Sequence, residues 1–354
     1  MSKPRLRRIL LTTLGVLFLL GTTGVGVGCH AFSAPVYRGP KSSHFDGEHF
    51  FNQEPREPRM TLLQWQLHRE RGLWTAWTEA APGAAPPRRV PERSVRVTFV
   101  NHATTLLQLD GVNVLTDPIW SERCSPVSFA GPKRVRPPGL RLEDLPPLDA
   151  VILSHNHYDH MDVPTLKQLA ERFPHVRFFA GLGNKAFLES KGLSNVTELD
   201  WWQEVQLTPG VKLVSTPAHH FSNRGLSDRN GTLWTSYVLQ GPSGVTYFAG
   251  DTGYGKHFRQ VREKFGPVRL AVLPIGAFKP EAFMEAVHVS PREAVQASLD
   301  LEARVSVPMH YGTFDLGDDG QQEAVIELDK ALDALPGPKP EFWVLDFGEG
   351  RDVP

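Results

Sequence analysis

Cysteine is nearly missing from this chain. Cys29 and Cys124 are its 2 cysteines in 354 residues, which excludes a disulfide framework and removes cysteine usage as a guide to redox compartment. An excess of one charge is missing too, since 38 basic side chains face 39 acidic ones. That balance leaves no global electrostatic footprint for nucleic acid or an anionic surface. No composition shift marks a linker between two cores, and no repeat at a solenoid period is evident. Turn formers and apolar residues are plentiful instead. The 30 prolines and 31 glycines imply many turns and short strands, and 40% apolar residues support a sizeable core.

The N-terminus stands apart. Lys3, Arg5, Arg7 and Arg8 form a basic start, residues 9–20 are mostly apolar, and small residues at 21–28 lead to Cys29. This is the layout of a secretory signal. Cys29 resembles the lipid-modified cysteine of bacterial lipoproteins, although Gly26 stands where that motif usually has leucine. A lipoprotein, an uncleaved membrane anchor and a simple cleaved signal (all within residues 1–29) would each put the remaining chain outside the cytoplasm, in the periplasm or cell envelope. The first two also hold it beside a bilayer. Residues 30–93, rich in proline, arginine and aromatics, read as an N-terminal extension packing on the core. Within it, residues 62–77 carry Leu63, Trp65, Leu67, Leu73, Trp74 and Trp77. They fit an amphipathic helix that either packs on the main domain or lies at a membrane interface.

From Ser94 the pattern becomes one of strands and helices. Val95, Val97 and Phe99, then 105–109 and 112–115, read as short strands, with Asp110-Gly111 as a hairpin signal. Further strands are expected at 151–153, 176–180, 211–215, 232–239, 245–249, 270–275 and 304–308, with helices after residue 160 and at 185–191, 258–265 and 291–301. Interleaved in this way they imply an α/β sandwich with helices outside. A proline-rich loop at 126–148 carries Lys133, Arg134, Arg136 and Arg141, either to meet phosphate or as a solvated loop.

Chemistry concentrates at Ser154-His155-Asn156-His157-Tyr158-Asp159-His160. The preceding Val151-Ile152-Leu153 reads as a strand covered on both faces. Past its end His155 and His157 are two apart, so in extended chain both rings leave one face. Asp159 and His160 come just before a helix, with Pro164 near its first turn and Leu166, Leu169 and Ala170 on its apolar face. A polar surface tract is the bland alternative. Donors at this density point to zinc or a similar divalent ion. Three other strand ends carry candidate ligands: His219-His220, Gly250-Asp251 and Met309-His310. Together they can supply two metals: His155, His157 and His220 for one, Asp159, His160 and His310 for the other, and Asp251 between.

The run from His155 to His160, with the later His, Asp and His in order, is the signature of the metallo-β-lactamase superfamily. The span from about residue 94 to 350 resembles N-acyl-phosphatidylethanolamine-hydrolysing phospholipase D. The segments that carry this include Thr116-Asp117-Pro118-Ile119, Gly131-Pro132-Lys133-Arg134, Glu198-Leu199-Asp200-Trp201-Trp202, Ala249-Gly250-Asp251-Thr252-Gly253-Tyr254, Pro274-Ile275-Gly276-Ala277, His288-Val289 and His310-Tyr311-Gly312-Thr313-Phe314. The resemblance implies an αββα sandwich over residues 94–354 and a dizinc site (or another divalent ion in place of zinc) on the seven ligands above. It makes Asp159 and His288 the catalytic candidates, His288 meeting the phosphate or leaving group. His102 and Asp117 match positions beside the site and are expected to orient ligands. The family usually has glycine where Asn101 stands, and His219 is expected only as a neighbour of His220.

The implied reaction is attack of a metal-held hydroxide on the phosphodiester of N-acyl-phosphatidylethanolamine, releasing N-acylethanolamine and phosphatidic acid. A metal-bound water or His288 would protonate the departing alkoxide. Implied partners are the phospholipid substrate, a membrane surface and a second copy as homodimer, with no nucleic acid. One alternative is a same-fold metallohydrolase acting on another phosphodiester, a lactone or an ester. The other is a zinc-bearing, non-enzymatic lipid-binding protein of the cell envelope. An open two-metal site argues against it, because structural zinc is closed by four protein ligands.

Overall fold

The computed structural model describes residues 33–354; the expected targeting segment and Cys29 lie outside the described residues. Among the described residues, two β-sheets pack face to face. The first contains β1 (Val95–Asn101), β2 (Thr104–Leu109), β3 (Val112–Thr116), β4 (Ala150–Leu153), β5 (Arg177–Gly181) and β6 (Val196–Leu199). The second contains β7 (Glu204–Thr208), β8 (Val211–Thr216), β9 (Ser236–Gly241), β10 (Gly244–Phe248), β11 (Leu270–Pro274) and β12 (Val305–Met309). A last strand, β13 (Gly350–Val353), returns to the first sheet and pairs antiparallel with β1, Val353 opposite Val95. Each sheet is antiparallel on one side and parallel on the other: β1 to β3 then β3 to β6, and β7 to β10 then β10 to β12. The helices are α1 (Leu62–Leu67), α2 (Val163–Arg172), α3 (Lys185–Ser190), α4 (His257–Phe265), α5 (Glu281–Met284), α6 (Pro291–Asp300) and α7 (Glu323–Asp333).

β4 shows why the sequence folds this way. It lies between parallel neighbours and is covered on both faces, so every residue is apolar. Ala150 and Ile152 face the core between the sheets, together with Val214, Val238 and Tyr247. Val151 and Leu153 face outward, beneath Leu166 and Leu169 of α2. Pro164 sits in the first turn of α2, where a missing N–H costs nothing.

Several expectations are corrected. The helix expected over 62–77 is six residues long, Leu62–Leu67, and ends at His68. The following chain is held by other partners: Gly72 N–H donates to the Asp318 carbonyl and Trp74 Nε1 to the Asp319 carbonyl, at 2.7 and 2.9 Å. The strand expected from 232 begins at Ser236, because Leu233 and Thr235 bond outside the second sheet, to the Leu182 and Ser154 carbonyls. The basic loop of 126–148 uses its cations structurally. Lys133 pairs with Glu122, Arg141 pairs with Asp144, Arg136 lies 3.5 Å over the Phe347 ring, and buried Arg134 donates to the Ser121 and Ile119 carbonyls. Five elements were not anticipated: β6, β7, α5, α7 and β13. β7 and β13 carry few fully buried residues and so lack a clean alternation.

Candidate metal centre

Every candidate site residue follows the carboxyl end of a strand. β1, β3 and β4 run in one sense in the first sheet, and β8, β10, β11 and β12 share a sense in the second. His102 follows β1, Asp117 follows β3, the residues from His155 to His160 follow β4, and His220 follows β8. Asp251 follows β10, His288 lies between β11 and β12, and His310 ends β12. The chain turns sharply at these exits: His102, Asp117 and His310 have φ of 47°, 32° and 65°. Such left-handed non-glycine residues cost on the order of 1–3 kcal/mol each and collect at functional sites. Gly250, with φ 60°, also permits contact between sheets, since a Cβ there would lie 2.5 Å from Ser154 Cβ. The left-handed residue of the β1–β2 turn is His102, which is why Asn101 is tolerated before it.

Two groups of donors result. In the first, His155 Nε2 lies 2.7 Å from His157 Nδ1, and His220 Nε2 lies 3.4 Å from the same nitrogen. In the second, Asp159 Oδ2 is 3.3 Å from His160 Nε2 and 3.5 Å from His310 Nε2. Asp251 Oδ2 joins them: it is 3.1 Å from His160 Nε2, 3.0 Å from His310 Nε2 and 3.9 Å from His220 Nε2. All seven residues named from sequence are therefore brought to one place. His219 is not among these groups; its side chain is buried with Nε2 unpartnered.

The donor set fits divalent metal. His160 Nε2, His310 Nε2 and Asp251 Oδ1 are buried without a directed hydrogen bond, a costly state unless something else engages them. Burial pushes His155 and His220 well below the usual histidine range and His157 down to about 4, leaving three neutral imidazoles with lone pairs to offer. The second group differs. Burial would depress His310 as well, but the Asp251 and Asp159 carboxylates outweigh it and push it up to about 9. His160 is raised in the same way. Burial opposes ionisation of Asp159 and Asp251, yet the neighbouring imidazoles hold both well below the carboxylate range.

Further contacts orient these donors. Asp117 Oδ2 accepts from His160 Nδ1 at 2.7 Å and from Ser154 Oγ at 2.5 Å, while its Oδ1 accepts from the Ser154 N–H. This leaves His160 Nε2 as the ligand atom. His102 Nε2 lies 2.9 Å from Asp159 Oδ2; burial takes its ring down to about 3, so it donates as a neutral imidazole. His220 Nδ1 donates to the Val287 carbonyl at 2.9 Å.

The site opens into a cavity of about 480 Å³. Its walls include Phe51, Trp65, Phe221, Phe283 and Met284, with Arg56 and Arg229 as its guanidinium groups. None of these was singled out for the site from sequence; Trp65 was expected only in a helix over residues 62–77. Their signal is spatial, because they come from the extension, the loop after β8 and the region of α5. His288 lines the same cavity with Nδ1 3.9 Å from Asp251 Oδ2. Burial takes His288 down to about 4, so its ring is neutral near pH 7 and offers a hydrogen bond.

Two sandwiched half-parallel sheets with a His/Asp donor set at their carboxyl edge define the metallo-β-lactamase fold. The chain belongs to this superfamily: residues 112–311 match the model of the Beta-lactamase superfamily domain. It is a metal-dependent hydrolase family, and the His/Asp clusters here are able to bind metal. Among its relatives, the chain is 39% identical over 269 residues to N-acyl-phosphatidylethanolamine-hydrolyzing phospholipase D 1 of Caenorhabditis elegans, covering 73% of this chain and 76% of that one. It is 40% identical over 311 residues to an uncharacterized protein of Mycobacterium bovis, covering 84% and 79%. The structure of Igni18, a metallo hydrolase of the archaeon Ignicoccus hospitalis, superposes with a TM-score of 0.55 at 22% identity, covering 74% of this chain and 99% of that one; it supports the fold alone.

Proposed function

We propose that this protein is a dizinc phosphodiesterase of the phospholipase D type. It cleaves N-acyl-phosphatidylethanolamine to N-acylethanolamine and phosphatidic acid. The observation that carries the reading is the position of both donor groups at the base of one cavity with aromatic walls and arginines at hand. Such a space suits a lipid with an anionic phosphodiester. The similarity to the C. elegans enzyme supports the same choice.

His155, His157 and His220 would hold one ion, Asp159, His160 and His310 the other, with Asp251 shared. Bound there, the metals supply Lewis acidity and lower the pKa of water to about 7. The chain's residues do the rest. Asp117 and His102 keep His160 and Asp159 in place, so the site is organised before substrate arrives. Phe51, Trp65, Phe221 and Phe283 exclude water and hold the apolar part of the lipid. Arg229, seated 4.3 Å over Phe221, and Arg56 attract the anionic head group. His288 donates a hydrogen bond to the departing alkoxide oxygen, which takes up the remaining proton of the water whose oxygen joins phosphorus.

The apolar residues of α1 beside the cavity, together with the basic and apolar N-terminus ending at Cys29, support an exported protein held at a membrane. The test is mass spectrometry of products after incubation with mixed phospholipid vesicles, with and without chelator. Chelator-sensitive N-acylethanolamine and phosphatidic acid are expected, and His310→Ala should abolish them while circular dichroism is unchanged. Intact lipids beside two bound metal ions would discard this substrate and leave a metallohydrolase for another ester.

A further inference from the structure

One side chain of the extension holds the backbone of a candidate metal ligand. Asn52 Oδ1 accepts from the His220 backbone N–H at 3.1 Å and from Trp234 Nε1 at 2.8 Å. Its Nδ2 donates to the His220 carbonyl at 2.9 Å. Two donors demand an acceptor oxygen on one side and a carbonyl demands an amide N–H on the other, so asparagine fits where aspartate would not. The ring of the same histidine is fixed separately by the Val287 carbonyl.

Asn52 is itself held firmly. Phe45 and Phe50 are buried with Trp201 and Trp234, and His44 pairs with Asp200 at 2.7 Å while stacking on Trp201. Backbone bonds from Phe50 to Asn230 and from Phe51 to His44 complete the strap.

We propose that Asn52 is a positioning residue for the ion held by His155, His157 and His220, so that the extension is a working part of the metal centre. His155 and His157 share one loop after β4, whereas His220 comes from the opposite sheet. The spacing of this trio therefore depends on how the His220 backbone is anchored, and Asn52 anchors both of its polar groups. Removing the partners that orient ligand rings typically costs about 10–100-fold in metal affinity, and loosening the backbone that carries the His220 ring displaces it in the same way. The inference rests on the metal reading above but not on the lipid substrate.

The test uses the full chain and reads zinc affinity by competition with a chromophoric chelator, together with the visible spectrum of the Co2+-loaded protein. Asn52→Ala should weaken one of the two binding steps by about 10–100-fold. That step should be the one His220→Ala removes, the step removed by His310→Ala should stay within about twofold, and the cobalt bands of the affected site should change. Asn52→Asp, which sets an oxygen against the His220 carbonyl, should act in the same direction and serves if the alanine variant does not fold. Unchanged affinity at both steps overturns the proposal. So does a parallel loss at both steps that tracks the Tm of the metal-free protein, or a loss confined to the His310 step.

Discussion

Asp117 reaches no part of the cavity, yet it determines which nitrogen of His160 faces the metals. Asp117→Asn puts an N–H against either Ser154 or His160, so metal affinity at the His160 site should fall about 10–100-fold, read as zinc retained after dialysis against a weak chelator. Protonation separates the two donor groups further. His310, raised to about 9, carries a proton at neutral pH when no metal is bound, and metal must displace it. Affinity at that site should therefore climb as pH rises toward about 9 and level off beyond it. The trio of His155, His157 and His220 is already neutral and should show little such dependence. Calorimetric titration at pH 7 in buffers of different ionisation enthalpy would show proton release in one step and little in the other; equal release in both steps would contradict this account.

At the scale of elements, α1 is too short to stand alone. A capping box between Thr61 and Gln64 starts it, and Trp65 pins it by stacking 4.9 Å from Phe283 and donating to Asp318. Leu62, Leu63 and Leu67 are left 57%, 68% and 71% exposed beside the cavity. If these leucines enter a bilayer, each contributes on the order of 1–3 kcal/mol to adsorption. The triple change of Leu62, Leu63 and Leu67 to Ser should cut co-sedimentation with vesicles at least tenfold. Turnover of a short-chain soluble diester should be unaffected, since Trp65 still completes the wall. Equal vesicle binding by variant and parent would remove α1 from the membrane contact.

Across the whole molecule, the donor set joins the two sheets. The loop after β4 belongs to the first, while His220, Asp251 and His310 belong to the second. Ions held by both sheets bind the folded chain alone and stabilise it by RT ln(1 + [L]/Kd), about 4 kcal/mol at a thousandfold excess over Kd. Chelation should lower Tm by roughly several degrees in scanning calorimetry. His310→Ala should show a smaller drop on chelation, having one ion fewer to lose.

Much of this was legible in the residues themselves. Continuous apolar runs such as Val151-Ile152-Leu153 mark strands covered on both faces, and clusters such as His155 to His160 mark their chemistry, because both signals lie in contiguous chain. The strands β1 to β5 and β8 to β12, though not their order in the sheets, and the seven candidate ligands could be read in this way. The six-residue limit of α1, the return of β13 to β1, the internal pairing of the basic loop and the hold of Asn52 on His220 could not. Each depends on which polar groups meet across 160 residues or more, or on a cation finding a local carboxylate or ring only once the loop is folded. Sequence periodicity reports which face of an element is buried. It carries no record of the partner on the other side, and hydrogen bonds to that partner decided where α1 stopped and how His220 is held.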